Sequence, residues 1–165
     1  MPYTLFYRFG VMHKGVKNIF APETLTELEN RIRSLTPTST PLWGKMSIAQ
    51  MLAHCSLVFE YNNGMRKAGV NPLMKFLLAG LMRKTIAGPK PYRRNSPTAT
   101  YFRVTDAKEF EVEQLRLLRN AREYSLGGPG QALKIDHAWL GKMSAEEWST
   151  AMYKHLDHHL QQFGA

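Results

Sequence analysis

The 165-residue sequence predicts an all-α protein, built as a four-helix bundle. Apolar residues recur every three or four positions over four long segments, as they do on one face of an α-helix. No segment alternates apolar and polar residues over the length of a β-strand, and a long proline-rich connection separates the second main helix from the third. Helices packed on helices, with one long crossover between helices two and three, fit this pattern best.

The first two main helices are predicted from their start and stop residues. Pro22 occupies the favoured first position of the segment PETLTELENRIRSL, and Pro37 follows its end. Ser47 and Gln50 form an S-x-x-Q capping box at the start of the second helix. We expect that helix to run to about Tyr61 and to end at the Asn-Asn-Gly sequence behind it.

Two further helices are predicted downstream. Asn71 is expected to cap a short, basic, amphipathic helix inside the proline-rich connection. A capping arrangement of Asp106 and Glu109 is expected to start the third main helix, which should stop at Gly127 and Gly128.

The tetrapeptide GKMS occurs twice, at 44–47 and 141–144, and each copy ends on a capping serine. The second copy places Ser144 three residues before Glu147, which is another capping box. It therefore marks the start of the last main helix. The repeat gives the second and last main helices equivalent starting points.

Three histidines fall on the apolar stripes of those two helices. His54 lies seven positions beyond its capping serine, and His155 and His159 lie eleven and fifteen positions beyond theirs. At 100° per residue, these offsets place the three imidazoles on equivalent, inward sides of their helices. We expect no partner for the buried pair within its own helix, because Asp157 lies about 160° around the axis from His159.

Two hypotheses fit three inward imidazoles. Each ring is either neutral, hydrogen-bonded and half-buried at the edge of the core, or a ligand of one divalent metal ion. Imidazoles at i and i+4 lie about 6 Å apart on a helix, and a third from a facing helix completes a set that leaves a coordination position open. Open positions are typical of catalytic sites.

His158 is considered separately because it is rotated about 60° from His155 and about 100° from His159. It is a candidate catalytic, proton-transferring group beside the metal, with an exposed surface position as the alternative. Cys55 is the single cysteine and is predicted to be a buried, inert thiol. Since no internal disulfide is possible, a cytoplasmic location is expected.

The net charge of +9 is concentrated between Glu60 and Asp106, where no acidic residue occurs. Arg93 and Arg94 are candidates for recognising an anionic substrate, and His137 is a candidate pocket residue or a turn residue. A basic face also admits nucleic acid, an acidic partner or an anionic membrane surface. No recognisable DNA-binding motif is present, so nucleic acid is not expected, and no apolar run is long enough to span a membrane.

One domain is expected over residues 17–165, behind a loosely ordered N-terminal leader at 1–16. The leader is apolar and aromatic, but Arg8 and His13 interrupt it and no small-residue cleavage site follows, so it is not interpreted as a signal peptide.

The chain resembles an uncharacterised, unknown-function branch of the DinB/YfiT-like superfamily of metal-dependent enzymes over nearly its whole length, from about residue 17. The resemblance is carried by LWGKMSIAQMLAHC (42–55), GPKPYRRNSPTA (88–99) and WLGKMSAEEWSTAMYKHLDHHLQQFG (139–164). The last stretch contains the pattern H-x-x-H-H-x-x-Q, which here comprises His155, His158, His159 and Gln162.

The resemblance implies an up-down-down-up bundle whose metal ligands are His54, His155 and His159. It also implies a small-molecule substrate such as a low-molecular-weight thiol. For the metal, our working hypothesis is zinc or nickel bound by neutral imidazole nitrogens, with manganese or iron as alternatives. Water or thiol activation would make the protein a hydrolase or a thiol S-transferase, and homodimers are frequent in the superfamily. The sequence HLQQFG replaces the arginine and glycine that usually follow the last histidine in better-known members, and the first sixteen residues have no counterpart.

Overall fold

The computed structural model describes residues 16–165, so the predicted leader, apart from Val16, lies outside the described residues. The described chain contains five α-helices and no β-strand, which confirms the all-α class. They are α1 (Pro22–Ser34), α2 (Ile48–Asn62), α3 (Pro72–Ile86), α4 (Phe110–Ala132) and α5 (Ala145–Gln162). A 3₁₀ turn, Thr100–Phe102, precedes α4. Between residues 16 and 165, no helix combines the length and apolarity needed to cross a bilayer.

Four of the helices build the hydrophobic core, whereas α3 only packs the partly buried Met82 and Ile86 against it. Helices α1, α2, α4 and α5 contact one another and contribute the most deeply buried side chains, among them Phe59, Leu117, Trp148 and Leu156. Helix α3 contributes no buried residue. It lies within the predicted long connection, residues 63–109, which we call the crossover.

The two capping boxes are present as predicted. In α2, the Gln50 amide donates to Ser47 Oγ at 3.2 Å and the Ser47 amide donates to the Gln50 side chain at 3.0 Å. In α5, Ser144 and Glu147 make the same reciprocal pair. Because each box fixes the first turn, it also fixes the direction in which the histidines further along each helix project.

Two predictions about α4 are wrong. Asp106 pairs with Lys108 at 2.7 Å instead of capping the helix, and the actual N-cap, Glu109, makes no side-chain capping hydrogen bond. The helix also does not stop at the glycine pair. Gly128 has a φ of +67° and kinks the chain, and helical backbone then resumes at Pro129, because proline suits the first position of a helix.

Candidate metal centre

His54 of α2 and His155 and His159 of α5 come together at one point, as the rotation argument predicts. Their candidate ligand nitrogens all lie within 4.8 Å of one another, and their ring centroids are 4.8–5.0 Å apart. His54 and His159 are buried, and His155 is half-buried. Within residues 16–165, this triad is the one cluster of His, Cys, Asp or Glu side chains with such an arrangement.

Two of the imidazoles are oriented by hydrogen bonds at their outer nitrogens. His54 Nδ1 lies 2.8 Å from the Phe102 carbonyl oxygen, and His159 Nδ1 lies 2.8 Å from Gln162 Oε1. Both partners are acceptors, so each Nδ1 carries the proton and each Nε2 presents a lone pair inward. Metal-binding histidines are characteristically held in this way by carbonyl or carboxylate groups.

The distance between His54 Nε2 and His155 Nε2 is 3.1 Å. Two lone pairs facing each other at this distance repel, so either a proton of His155 or a cation has to lie between them. Nitrogens bound to one tetrahedral zinc at about 2.0–2.1 Å are about 3.3 Å apart. The observed separation therefore suits a shared ion as well as a hydrogen bond.

Gln162 is itself held in one orientation. Its Nε2 donates to the Trp43 carbonyl at 2.6 Å, which leaves Oε1 to accept from His159. The neighbouring Gly44 has a φ of +85°, and a Cβ at this position would lie only 2.6 Å from Gln162 Nε2. Glycine is therefore required here both for backbone conformation and for space.

The triad is electrically neutral before any ion binds. Burial lowers the pKa of His54 and holds that of His155 well below its usual range. Burial likewise lowers the pKa of His159 to about 3, and the neighbouring His54 adds to the effect. Desolvation disfavours imidazolium, so the three rings are uncharged at neutral pH, and metal binding requires this form.

His158 lies beside the triad without joining it. Its ring is half-buried between Trp43 and Tyr92, with centroid distances of 5.7 and 5.8 Å, and lies 5.2 Å from the His159 ring. Desolvation lowers its pKa, and Asp157 opposes the shift. The ring lines the cavity in front of the triad, as the candidate proton-transfer role requires.

A cavity of about 280 Å³ opens onto the three histidines. Helices α2 and α5 form its floor, and almost half of its lining residues belong to the crossover, including Met82, Ile86, Tyr92 and Phe102. The site therefore has ligands on two core helices and a wall on the long connection.

The other candidate residues lie in different places. His137 lines the cavity and is also a turn residue, because its Nδ1 accepts from the Trp139 and Leu140 amides at 3.2 Å. Burial lowers its pKa to about 4. Arg93 and Arg94 are exposed and do not line the cavity; the Arg94 guanidinium instead lies 4.3 Å from the centroid of a Trp43 ring.

Residue-level reasoning missed both orienting partners. The expectation that the histidine pair lacks a partner within its own helix is wrong, since Gln162 lies three positions beyond His159 and i, i+3 side chains are neighbours. That spacing was visible in the sequence. The Phe102 carbonyl was not, because it belongs to a 3₁₀ turn 48 residues away from His54. Cys55 is buried, as predicted, and burial raises its thiol pKa, which fits the predicted inertness.

Fold and site together define an all-α protein with a largely buried cluster of three histidines at the floor of a cavity. The chain belongs to the family described as protein of unknown function DUF1569, which matches residues 19–165. No curated protein and no solved structure matches the chain. The family description does not mention the DinB/YfiT-like superfamily, and that resemblance stays a prediction.

Proposed function

We propose that the protein is a metal-dependent enzyme in which His54, His155 and His159 hold one divalent cation. Zinc or nickel is expected, and manganese or iron is the alternative, since all accept imidazole nitrogen. The observation that carries the proposal is the pair of outer hydrogen bonds, at 2.8 Å each, that turn two Nε2 lone pairs towards one point beside the third ring.

The arrangement supports hydrolysis or thiol S-transfer. A divalent cation held by His54, His155 and His159 would supply Lewis acidity towards water or a small thiol, because three neutral ligands would leave its charge uncompensated. The chain's own residues would do the rest. The cavity binds and orients a small-molecule substrate, and His158, uncharged at neutral pH and facing the cavity, accepts or returns a proton.

Several finer features belong to the same proposal. The four helices around one core, joined by the long crossover, support an up-down-down-up bundle of the DinB/YfiT-like type over residues 17–165. A homodimer and a cytoplasmic location are proposed with it, on the resemblance and on the single buried cysteine respectively.

Metal analysis of the full-length protein, purified without a nickel column, tests the proposal. We expect about one equivalent of divalent metal per chain, lost on His54→Ala because two ligands rarely retain an ion of this kind. His158→Ala is the matched control and should retain the metal. A wild type that neither holds nor binds zinc, nickel, manganese or iron, or a His54→Ala protein that binds as tightly, would exclude the proposal.

We propose a second, non-enzymatic candidate function from α3, namely attachment to an anionic membrane surface. Leu73, Phe76, Leu77 and Leu81 are all exposed and recur at i, i+3, i+4 and i+8, which puts them on one helix face. Lys84 is exposed at the C-terminal end of that face, and residues 61–105 contain no acid. An exposed apolar stripe flanked by cations is typical of interfacial helices.

Co-sedimentation with phosphatidylserine vesicles tests this candidate. Binding should weaken at high salt and be lost on combined Phe76→Ser and Leu77→Ser. Leu115→Ser, at a similarly exposed leucine on α4, is the control and should leave binding unchanged. Equal binding of all variants, or no binding to vesicles, contradicts it. Tight, salt-sensitive DNA binding by a metal-free wild type would instead favour the nucleic-acid alternative.

A further inference from the structure

The cavity in front of the triad has no permanently charged wall. Among the described residues that line it there is no Asp, Glu, Lys or Arg, although the surrounding segment, residues 61–105, contains nine basic residues. Its walls are mainly apolar and aromatic, with Val58, Met82, Ile86, Phe102 and Trp139 among them.

Two basic residues next in sequence to cavity-lining residues, Arg83 and Lys154, are engaged elsewhere. Lys154 donates to the carbonyls of Thr85 and Gly88, at 3.0 and 2.5 Å. Arg83 donates to the Leu140 and Lys142 carbonyls at 3.1 and 3.0 Å and pairs with Glu147. The two side chains therefore link the crossover to α5 and to the loop before it, and neither lines the cavity.

The size of the cavity limits what it holds. A buried apolar cavity of about 150 Å³ accommodates benzene, and drug-sized ligands occupy about 300–1,000 Å³. The volume here is about 280 Å³. It suits one ring with a short substituent, while Asn62, Ser96 and Thr98 supply a few polar contacts without charge.

We propose that this cavity takes an uncharged, largely apolar small molecule of about the size of a substituted benzene ring, and not the anionic substrate that Arg93 and Arg94 suggested. A charged substrate body would lose its hydration without gaining an ionic partner on the wall, and that loss is costly. Identifying the bound molecule as the substrate rests on the proposed function. The preference of the cavity for uncharged molecules does not depend on that function.

Three probes with one skeleton test the preference: 3-phenylpropanamide, 3-phenylpropanoate and 3-phenylpropylamine. Their dissociation constants are measured by calorimetry on the full-length chain in chelator, so that no carboxylate–metal bond contributes. We expect the neutral amide to bind at least about tenfold more tightly than either charged probe. Equal or tighter binding of the carboxylate, or no binding of the amide, overturns the inference.

A matched pair of variants on α3 locates the binding. Met82→Lys places a cation on the cavity wall and should weaken amide binding about tenfold while strengthening carboxylate binding. Leu81→Lys places the same charge one residue away, at an exposed position that does not line the cavity, and should change neither. Met82 is partly buried against the core, so urea denaturation of both variants first verifies that each remains folded. An unchanged Met82→Lys protein contradicts the inference.

The proposed function and this inference fail separately. A wild type that binds no divalent metal but prefers the amide refutes the metal site and supports the cavity assignment. A wild type that binds one equivalent of metal but binds the three probes equally well supports the metal site and refutes the cavity assignment.

Discussion

The core helices and the crossover contribute to the same site in different ways. In α2, α4 and α5, large side chains such as Phe59, Leu117 and Trp148 are at most 1% exposed, and the metal-ligand candidates project from these packed elements. On α3, Phe76 is 82% exposed and Leu77 63% exposed, and the helix buries nothing fully. The comparison indicates that core packing fixes the triad, whereas a less tightly packed segment shapes the cavity.

Polar contacts join α3 to the rest. Near its C-terminal end, Arg83 reaches the Leu140 and Lys142 carbonyls, and Lys154 of α5 reaches carbonyls at and beyond Thr85. We therefore expect substitutions in the core to act on stability and metal, and substitutions in the crossover to act on ligand selection.

The two regions should differ most in how much they contribute to the loss of stability in acid. This loss is measured on protein from which metal has been removed with a chelator. The pKa values of His54, His155 and His159 are lowered on folding, so below about pH 6.5 the unfolded chain binds protons that the native triad does not. The free energy of unfolding should therefore fall as pH drops, by up to about 2 kcal/mol per imidazole at about pH 5.

Replacing one imidazole of the triad tests whether the triad causes this pH dependence of stability. His155→Leu should reduce the stability difference between about pH 6.5 and 5 by up to about 2 kcal/mol, while Leu77→Ala on α3 should leave the difference unchanged. Urea denaturation at both pH values measures it. If His155→Leu had the same pH dependence as the wild type, the triad would not be the neutral, desolvated cluster described above.

The next largest effect should be the difference in stability lost when apolar side chains are truncated in the core helices and in α3. Leu156→Ala removes a side chain that is 0% exposed and should lower the free energy of unfolding by about 2–5 kcal/mol. Leu77→Ala on the exposed face of α3 should change it by less than about 0.5 kcal/mol. Denaturant titration compares both variants with the wild type. Similar losses for the two would mean that α3 is covered in solution.

The contrast between core helices and crossover also explains which features of the fold and of the site could be predicted from the sequence. The triad was predictable, because capping serines fix the helix starts and a 100° step then places His54, His155 and His159. The kink at Gly128 was not, because Pro129 restarts a helix as readily as it follows the end of one. The orienting Phe102 carbonyl and the uncharged cavity wall depend on how the crossover folds back, which no local periodicity determines.

The two GKMS copies offer a matched test of how Gln162 holds His159. Gly44 and Gly141 both have positive φ, +85° and +65°, so alanine is strained at either position. Only at Gly44 would the added Cβ also displace Gln162 Nε2. Gly44→Ala should weaken metal binding about 10–100-fold, as loss of an orienting partner does. Gly141→Ala should bind metal like the wild type in a competition titration. Equal affinities would show that Gln162 is not needed to orient His159.

The smallest expected effect concerns the attachment of α3. Burial lowers the pKa of Lys154 to about 8, so holding its charge opposes folding at neutral pH, while its donated hydrogen bonds tie down carbonyls at the end of α3. Lys154→Met leaves an unbranched side chain that is one heavy atom shorter and removes both effects. Overall stability should therefore change by less than about 1 kcal/mol, since replacing a buried charge with an apolar group is often neutral.

Local stability should respond differently to this change. Amides in α3 should exchange with solvent faster in Lys154→Met, while those of α2 keep their protection, because the lost hydrogen bonds go to the end of α3 and to Gly88 and none goes to α2. Hydrogen exchange followed by mass spectrometry resolves the two helices. Unchanged exchange in α3 would show that Arg83 and the contacts of Met82 and Ile86 with the core suffice to hold the cavity wall, and that the lysine is not needed for its attachment.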